Sequence, residues 1–202
     1  MGTSTKSWNL KRIFGAVGLG VLILGVAYYV WSSDVANASR LKNGKGIEIR
    51  ATSGNISIVG TQDNNVRVTI ENVSAETAKT AHIKIDRNRN PILIEIKDLP
   101  QFATASVEVP RAAGLAVSML TGELQIRDID GDKMCLLRSG KMLISVGNPE
   151  AYKSVRAFVF AGDIHAPAFK RDTGGVWRMI TWTGSGEFVI DAHVSTGLLV
   201  LR

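Results

Sequence analysis

The chain of 202 residues is poor in the side chains from which small stapled or metal-binding domains are built. It contains one cysteine, so it cannot form an intrachain disulfide, which excludes disulfide-stapled scaffolds. That residue, Cys135, stands between apolar residues in "KMCLLR", where a buried and unreactive thiol is expected. The three histidines, His82, His165 and His193, are far apart in sequence and present no local metal pair.

Signatures of catalysis and of nucleic-acid binding are also missing from the sequence. It has neither a G-x-S-x-G turn nor a P-loop. The acids are scattered at outward strand positions or beside turns, among them Glu48, Glu95, Glu108, Glu123 and Glu187. From Asp34 onward 21 basic and 18 acidic residues are dispersed, whereas nucleic-acid binders cluster Lys and Arg on one face. We therefore expect a protein that is not an enzyme, with no cofactor, metal, nucleic acid or small-molecule substrate.

The stretch "DIDGDK" places Asp128, Asp130 and Asp132 at alternate positions beside a glycine, as a calcium loop might. An EF-hand loop needs glycine at its sixth position and glutamate at its twelfth. Counted from Asp128, Gly131 is fourth and Ser139 is twelfth. The sequence therefore predicts a solvated turn between two strands, because Asp and Gly are ordinary turn residues.

Residues 13–31, "IFGAVGLGVLILGVAYYVW", carry no charge and are long enough to cross a bilayer as a helix. Lys11 and Arg12 precede this run, and Tyr28, Tyr29 and Trp31 lie at its far end, where an aromatic belt belongs. The pattern predicts a cytoplasmic tail over residues 1–12 and a single transmembrane helix over residues 13–32. Positive-inside bias then places the remainder in the periplasm, outside the inner (cytoplasmic) membrane of a bacterium.

The alternative for this segment is a signal peptide cleaved after Ala38, since "VANA" ends in Ala36-x-Ala38. The apolar run exceeds the usual apolar region of a signal peptide, which favours a retained anchor. Small residues on one seam of the predicted helix allow a second membrane helix to approach closely. That seam consists of Gly15, Gly18, Leu22 and Gly25.

After a polar linker over residues 33–45 the sequence changes to a period of two, which continues through residues 46–202. Short alternating runs such as "ISIVGT", "VRVTIENV" and "ILIEIK" are bounded by Gly, Asn, Asp and Pro. Such runs predict half-buried β-strands. One helical turn is expected at "SAETAK", residues 74–79.

A unit of small residue, glycine, any residue and apolar residue recurs within this region. It appears as "SGNISI", "TGELQI", "SGKMLI", "AGDIHA", "SGEFVI" and "TGLLVL". Gly122, Gly140, Gly162 and Gly186 follow one another at intervals of 18, 22 and 24 residues. Recurrence near 20 residues predicts stacked units with each glycine at a corner of positive φ. We expect an all-β fold, either a β-solenoid-like stack or a rolled β-sandwich of many short strands.

The run "SVEVPRAAGLAVSMLTGELQIRDIDGDKMCLLRSGKMLISV" resembles the bacterial "putative adhesin" domain family of unknown function. The matching features are the "VEVP" strand, an apolar strand, and "TG" and "SG" units about 20 residues apart. The resemblance extends over roughly residues 46–202. It implies a membrane-tethered or exported repetitive all-β domain with an exposed binding surface, and it supplies no catalytic residues.

Two segments predict contact surfaces for another protein. In "GVWRMITWTG" the alternation puts Trp177 and Met179 on one face and Ile180 and Trp182 on the other, so one face lies outside the core. The C-terminal run Leu198, Leu199, Val200 and Leu201 is apolar on both faces. As the last unit of a solenoid it would leave an uncapped edge, unless an earlier segment covers it.

The resulting interpretation is a non-catalytic, single-pass membrane protein that acts as an accessory subunit of a larger membrane complex. The bilayer and other membrane-protein subunits are its expected partners. One alternative is a free-standing adhesin-like or polymer-binding envelope module. The other is a polysaccharide-acting enzyme, which would need two carboxylates close together in a cleft.

Overall fold

A computed structural model of the chain describes residues 46–202 and shows, over that range, ten strands in one open sheet. The strands are β1 (Gly46–Thr61), β2 (Arg67–Glu71), β3 (His82–Asp86), β4 (Ile92–Lys97), β5 (Thr104–Pro110), β6 (Gly114–Arg127), β7 (Lys133–Ile144), β8 (Tyr152–Ala166), β9 (Arg171–Thr183) and β10 (Phe188–Leu201). One helix, α1 (Ala75–Ala78), and two 3-10 turns (Pro149–Ala151 and Pro167–Phe169) join them. The all-β prediction is confirmed.

The helical turn predicted at residues 74–79 is confirmed by α1, whose N-cap Ser74 accepts a hydrogen bond from the Thr77 amide at 3.2 Å. None of the helices in the described range is long and apolar enough to cross a bilayer. The predicted tail, transmembrane helix and linker, residues 1–12, 13–32 and 33–45, lie outside the described residues.

Five long strands form the body of the sheet in the order β1, β6, β7, β10, β8, and all of them run parallel. Their register aligns the glycines of the recurring unit across the sheet. Gly54 pairs with Gly122, Gly122 with Gly140, Gly140 with Gly197, and Gly197 with Gly162. The recurring units are thus the midpoints of long strands that stack side by side.

Each of the five strands bends at its glycine, and the sheet folds there into two arms. The first arm holds the residues before the glycine, and the second arm holds those after it. The last inward residue of the first arm and the first inward residue of the second arm are always five positions apart: Ala51 and Ile56, Met119 and Leu124, Leu137 and Met142, Val159 and Ile164, Val194 and Leu199. In a regular strand, two residues five positions apart face opposite sides of the sheet. Here the corner at the glycine lies between them, so the inward residues of both arms point into one core.

The aligned glycines are required by close approach as well as by conformation. Gly122, Gly140, Gly197 and Gly162 have φ between +126° and +136°. A Cβ on any of them would overlap the carbonyl oxygen of the glycine in the neighbouring strand. Only glycine combines this backbone geometry with this spacing. The predicted corner role is confirmed for these positions and for Gly54 (φ +110°).

The two ends of the sheet differ. At one end β1 pairs in parallel with β4 along the first arm and with β5 along the second, and β3 and β2 are the outer strands of those arms. At the other end β9 pairs antiparallel with both arms of β8. β9 therefore spans the corner as the outermost strand.

Three expectations are corrected by this topology. The main strands have 12 to 16 residues rather than being short, because one strand includes both sides of each corner. Gly186 is not a corner; it lies before β10, and its amide donates to the Tyr152 carbonyl at 3.2 Å. β10 is not a terminal unit, because it lies between β7 and β8 and pairs with both.

Candidate interaction site

The outermost strand β9 exposes most of its side chains, and among them is an unusual concentration of apolar surface. Of its 13 residues only Ile180 is buried. Val176, Trp177 and Met179 are 65%, 64% and 59% exposed. We call these three residues, together with Phe158 and Phe160 of β8, the β9 patch.

The aromatic rings of the β9 patch contact one another. The Trp177 ring is T-shaped to Phe158 at a centroid distance of 5.5 Å and to Phe160 at 5.6 Å. Both phenylalanines come from alternate positions of one strand, so they support the indole from the same side. The rest of the indole surface faces solvent, and the two phenylalanine rings hold the indole in place.

Trp177 also has an uncommon backbone conformation, with φ +58°. A bulky residue with positive φ is a conformational outlier that costs on the order of 1–2 kcal/mol. The ladder between β8 and β9 is interrupted at this point, since Val159 pairs with Arg178 and Ala161 with Val176. The interruption places Trp177 opposite Phe160, outside the regular pairing.

A partly buried polar cluster from β8 and β10 adjoins the β9 patch. The guanidinium of Arg156 binds both carboxylate oxygens of Asp191, with Nε 2.9 Å from Oδ1. The His193 Nε2 atom lies 2.9 Å from the same oxygen, and the His193 ring is 5.6 Å from that of Phe158. Burial acts to raise the pKa of Asp191, but hydrogen bonds from His193 and Arg156 outweigh it and leave the pKa lowered. Asp191 therefore stays ionised and anchors both neighbours.

The two faces of β9 divide as the alternation predicted. Ile180 is 4% exposed, and the Trp182 ring packs on Phe169 at 5.1 Å, on the core side. Trp177 and Met179 lie on the opposite side. The sequence predicted that one face lies outside the core, and in the structure it is the face of Trp177 and Met179. No pattern in the sequence indicated the supporting Phe158 and Phe160.

The C-terminal candidates are placed differently from the expectation. Leu199 and Leu201 are fully buried in the core, while Leu198 and Val200 are half-buried on the outer side of the second arm. Of the two alternatives for this run, cover by an earlier segment is the one observed, because β8 and β9, which come earlier in the chain, complete the sheet beyond β10. The open edge that the sequence placed at residues 198–201 belongs to β9.

The remaining predicted candidates are not brought together. His82 is exposed, as expected, with Nδ1 3.1 Å from Asp98 Oδ2, and His165 is exposed beside Asp172. Cys135 is buried, as expected, and burial raises the pKa of its thiol to about 12. The helix-seam and membrane-interface residues predicted from the N-terminal segment lie outside the described residues.

The three aspartates of "DIDGDK" have separate roles. Asp130 accepts a hydrogen bond from Arg111 Nε at 2.7 Å, and Asp132 accepts one from the Val189 amide at 2.8 Å. Asp128 has a φ of +57° in the turn. Within residues 46–202 no three His, Cys, Asp or Glu side chains are gathered in a way that could hold a metal ion.

One buried polar residue escaped the sequence analysis. Lys133 is fully buried on the core side of β7, two residues before Cys135. Its Nζ donates to the Tyr152 hydroxyl at 2.7 Å and to the Gly131 carbonyl at 3.2 Å, and the hydroxyl donates to the Val146 carbonyl at 3.1 Å. Burial lowers the pKa of Lys133 to about 8, against opposing interactions with Cys135, Asp130 and Asp132. The available signal was the alternation of "KMCLLR", which puts Lys133, Cys135 and Leu137 on one side.

Comparison with known proteins gives little beyond this geometry. No family model matches the chain. No curated protein matches it either. Among solved structures it is similar to one described as a putative cell adhesion protein from Clostridium sporogenes, with 11% identity over 78% of this chain and 92% of that chain and a TM-score of 0.49. Likeness of that degree is too distant to assign a function, and the family resemblance stays a prediction.

Proposed function

We propose that the protein is a non-catalytic interaction module whose β domain docks on another protein through the β9 patch. Its uncharged N-terminal run, residues 13–32, would hold it in the membrane as an accessory subunit of a larger complex. The single observation that carries the docking proposal is the exposure of Val176, Trp177 and Met179 on one outermost strand. Tryptophan, methionine and arginine are enriched in the centres of protein interfaces.

The proposal treats the β9 patch as a prepared surface because the indole is already positioned before any partner arrives. Phe158 and Phe160 fix the Trp177 ring, and the left-handed backbone at Trp177 turns that ring out of the strand pairing. A preordered aromatic anchor loses little conformational entropy on binding. Backbone strain at an exposed aromatic residue is itself a reason to look for a functional role.

The absence of enzymatic activity is part of the same proposal. Glu48 pairs with Arg50, Glu108 with Arg67, and Glu123 lies 3.9 Å from Lys141. Each of these acids is engaged by a basic side chain, and Glu48 is itself buried. A glycoside-cleaving site would instead need two acids facing one cleft.

The test is co-purification of the full-length chain after mild detergent extraction from its own membranes. We expect a partner in fixed stoichiometry, and its loss when Trp177→Asn is combined with Met179→Ser. Asparagine is chosen because it tolerates positive φ. At a central aromatic anchor the expected loss is on the order of 2 kcal/mol or more, about thirtyfold in affinity.

The matched control is Phe102→Asn. Phe102 is 77% exposed and has φ +66°, so it shares the exposure and backbone conformation of Trp177, but it lies in the loop between β4 and β5. This variant should keep the partner. Purification of the unmodified chain alone would contradict the proposal and favour the free-standing envelope module.

A further inference from the structure

We propose that the partner presents an acidic surface, in which apolar side chains that cover the β9 patch are bordered by carboxylates, and that it docks by side-chain contact without adding a strand to β9. This inference rests on the proposed function and specifies the chemistry of the partner. Three observations carry it: the blocked edge of β9, the uncompensated positive charge along β9, and the composition of the β9 patch.

The edge of β9 is closed to strand addition by its own arginines. Arg178 Nε donates to the Gly174 carbonyl at 2.7 Å, and Arg171 Nη1 donates to the Thr181 carbonyl at 3.2 Å. Both carbonyls belong to the outermost strand, and each is covered by an arginine side chain. The left-handed Trp177 also interrupts the strand between those two carbonyls. Natural proteins protect sheet edges with charged side chains and bulges of this kind.

The same arginines leave positive charge beside the β9 patch. Lys170, Arg171 and Arg178 are exposed, and none of them forms a salt bridge within the part of the chain that the structure describes. The nearest acid in the strand, Asp172, accepts a hydrogen bond from the Ala166 amide and lies 3.4 Å from His165. Residues 170–183, which are β9 and the lysine before it, therefore carry a net charge of +2.

An acidic partner complements this surface in both charge and geometry. Each guanidinium uses one N–H on a backbone carbonyl, and a guanidinium has five in a planar fork that matches a carboxylate. Complementary charge fixes register and speeds association, while the apolar centre supplies affinity. Arg178 lies between Trp177 and Met179 in the strand.

A second copy of this chain is the weaker candidate on the same grounds. A two-fold contact through the β9 patch would bring Arg171 and Arg178 of both copies to one interface. Like charges placed together in an interface weaken binding. The patch lacks acidic side chains of its own to offset them, since Asp191 of the nearby cluster is already bound to Arg156 and His193.

The test is photocrosslinking of the full-length chain in its own membranes, with p-benzoylphenylalanine in place of Met179. The same probe in place of Phe102 is the control position. The β9 probe is then combined with Arg171→Gln and Arg178→Gln, which remove charge and keep polarity, or with Arg171→Lys and Arg178→Lys, which keep the charge. Arg138→Gln, an exposed residue of β7, is the control for loss of one positive charge elsewhere.

We expect the Met179 probe to crosslink one protein and the glutamine pair to reduce the yield at least about fivefold, because two charge-assisted contacts are lost. The lysine pair should restore most of the yield, Arg138→Gln should leave it unchanged, and higher salt should reduce it. The crosslinked peptide should lie on an acidic surface of the partner. These outcomes together support the inference; capture of a protein alone does not.

Different failures identify which idea is wrong. An unchanged yield with the glutamine pair would overturn the acidic partner and leave the docking proposal intact. A crosslink to a second copy of this chain, or to a polysaccharide, would also overturn it. If the Met179 probe captures no more protein than the Phe102 probe, the proposed function itself fails.

Discussion

At the scale of single residues, Lys133 stands out because the fold buries a side chain whose charged form is stabilised by water. A lysine is rarely fully buried unless it is paired. Among the described residues the Lys133 Nζ bonds to the Tyr152 hydroxyl and the Gly131 carbonyl, and it lies 4.8 Å from the centre of the Tyr152 ring. Burial lowers its pKa from 10.5 to about 8. Between those two values the unfolded chain holds a proton that the folded chain releases, so stability rises with pH.

Lys133→Met should therefore remove a pH-dependent free-energy cost of folding. The shift from 10.5 to about 8 corresponds to a cost of about 3 kcal/mol below pH 8, part of which is offset by the lost bond to Gly131. From pH 7 to pH 9 the unmodified protein should gain about 1 kcal/mol of unfolding free energy relative to the variant. Urea unfolding of both proteins at each pH measures this difference.

The control for this experiment is Lys141→Met, which removes an outer, half-buried lysine from the same strand. It should leave the pH response of the unmodified protein in place. Cys135, whose pKa is raised from 9.0 to about 12, lowers stability above pH 9 in both variants, so the comparison stops at pH 9. Parallel curves for the unmodified protein and Lys133→Met would contradict the argument.

Alternation predicts which side of the sheet a residue faces, but it does not predict whether a polar side chain can be buried there. It placed Trp177 and Met179 opposite Ile180 and Trp182 correctly, although burial alternates in β9 only from Met179 to Thr183. It also puts Lys133 inward, yet a lysine there is expected to be exposed. The acceptors that permit its burial are the Gly131 carbonyl, in the turn before β7, and the Tyr152 hydroxyl. No local pattern connects Lys133 to Tyr152.

At the scale of the strand, the corner depends on the glycine column. Gly54, Gly122, Gly140, Gly162 and Gly197 were predictable because each carries the same small-residue and apolar neighbours. Gly186 carries the same neighbours and is no corner. The recurring unit predicts only that the chain can form a corner at its glycine. The observed corners also have a glycine at the paired position of the adjacent strand. That second condition is long-range and is invisible in a local motif.

Gly140→Ala tests the column. Gly140 has φ +132°, and an added Cβ would overlap the Gly122 carbonyl, which belongs to rigid backbone. Strain and steric overlap together should cost at least about 3 kcal/mol of unfolding free energy. Gly147→Ala is the matched control, since Gly147 has φ +68° with open space around it and should cost only about 1–2 kcal/mol. Equal losses in chemical denaturation would mean that conformation alone, without close approach, explains the glycines.

At the scale of the whole described domain, the order of strands could not be read from the sequence. The five corner strands contain nearly the same sequence unit, so their local patterns do not predict which strands pair with each other. β10 lies between β7 and β8, although it follows both in the chain. In a sequential solenoid each unit contacts only the adjacent ones, and a terminal unit is removable. Here the last strand is central, so completion of the sheet requires it.

Deletion of residues 198–202 should consequently abolish cooperative folding of the β domain. The deletion removes Leu199 and Leu201, both fully buried, and leaves the second arms of β7 and β8 without the strand that joins them. It also removes the hydrogen bonds between Arg202 and the backbone of Ile144 and Val146. Loss of two large buried side chains alone costs about 4 kcal/mol or more, which is comparable to the stability of a domain.

Thermal unfolding by circular dichroism and resistance to protease measure this outcome. The matched control replaces the outer residues of the same segment, Leu198→Ser with Val200→Ser, which keeps Leu199, Leu201 and every backbone pairing. The control should retain a sharp transition within about 10 °C of the unmodified protein, since each partly exposed apolar side chain contributes about 1 kcal/mol. If the deleted chain also unfolds in a sharp transition at nearly the same temperature, β10 is dispensable and the sheet behaves as a stack of separable units.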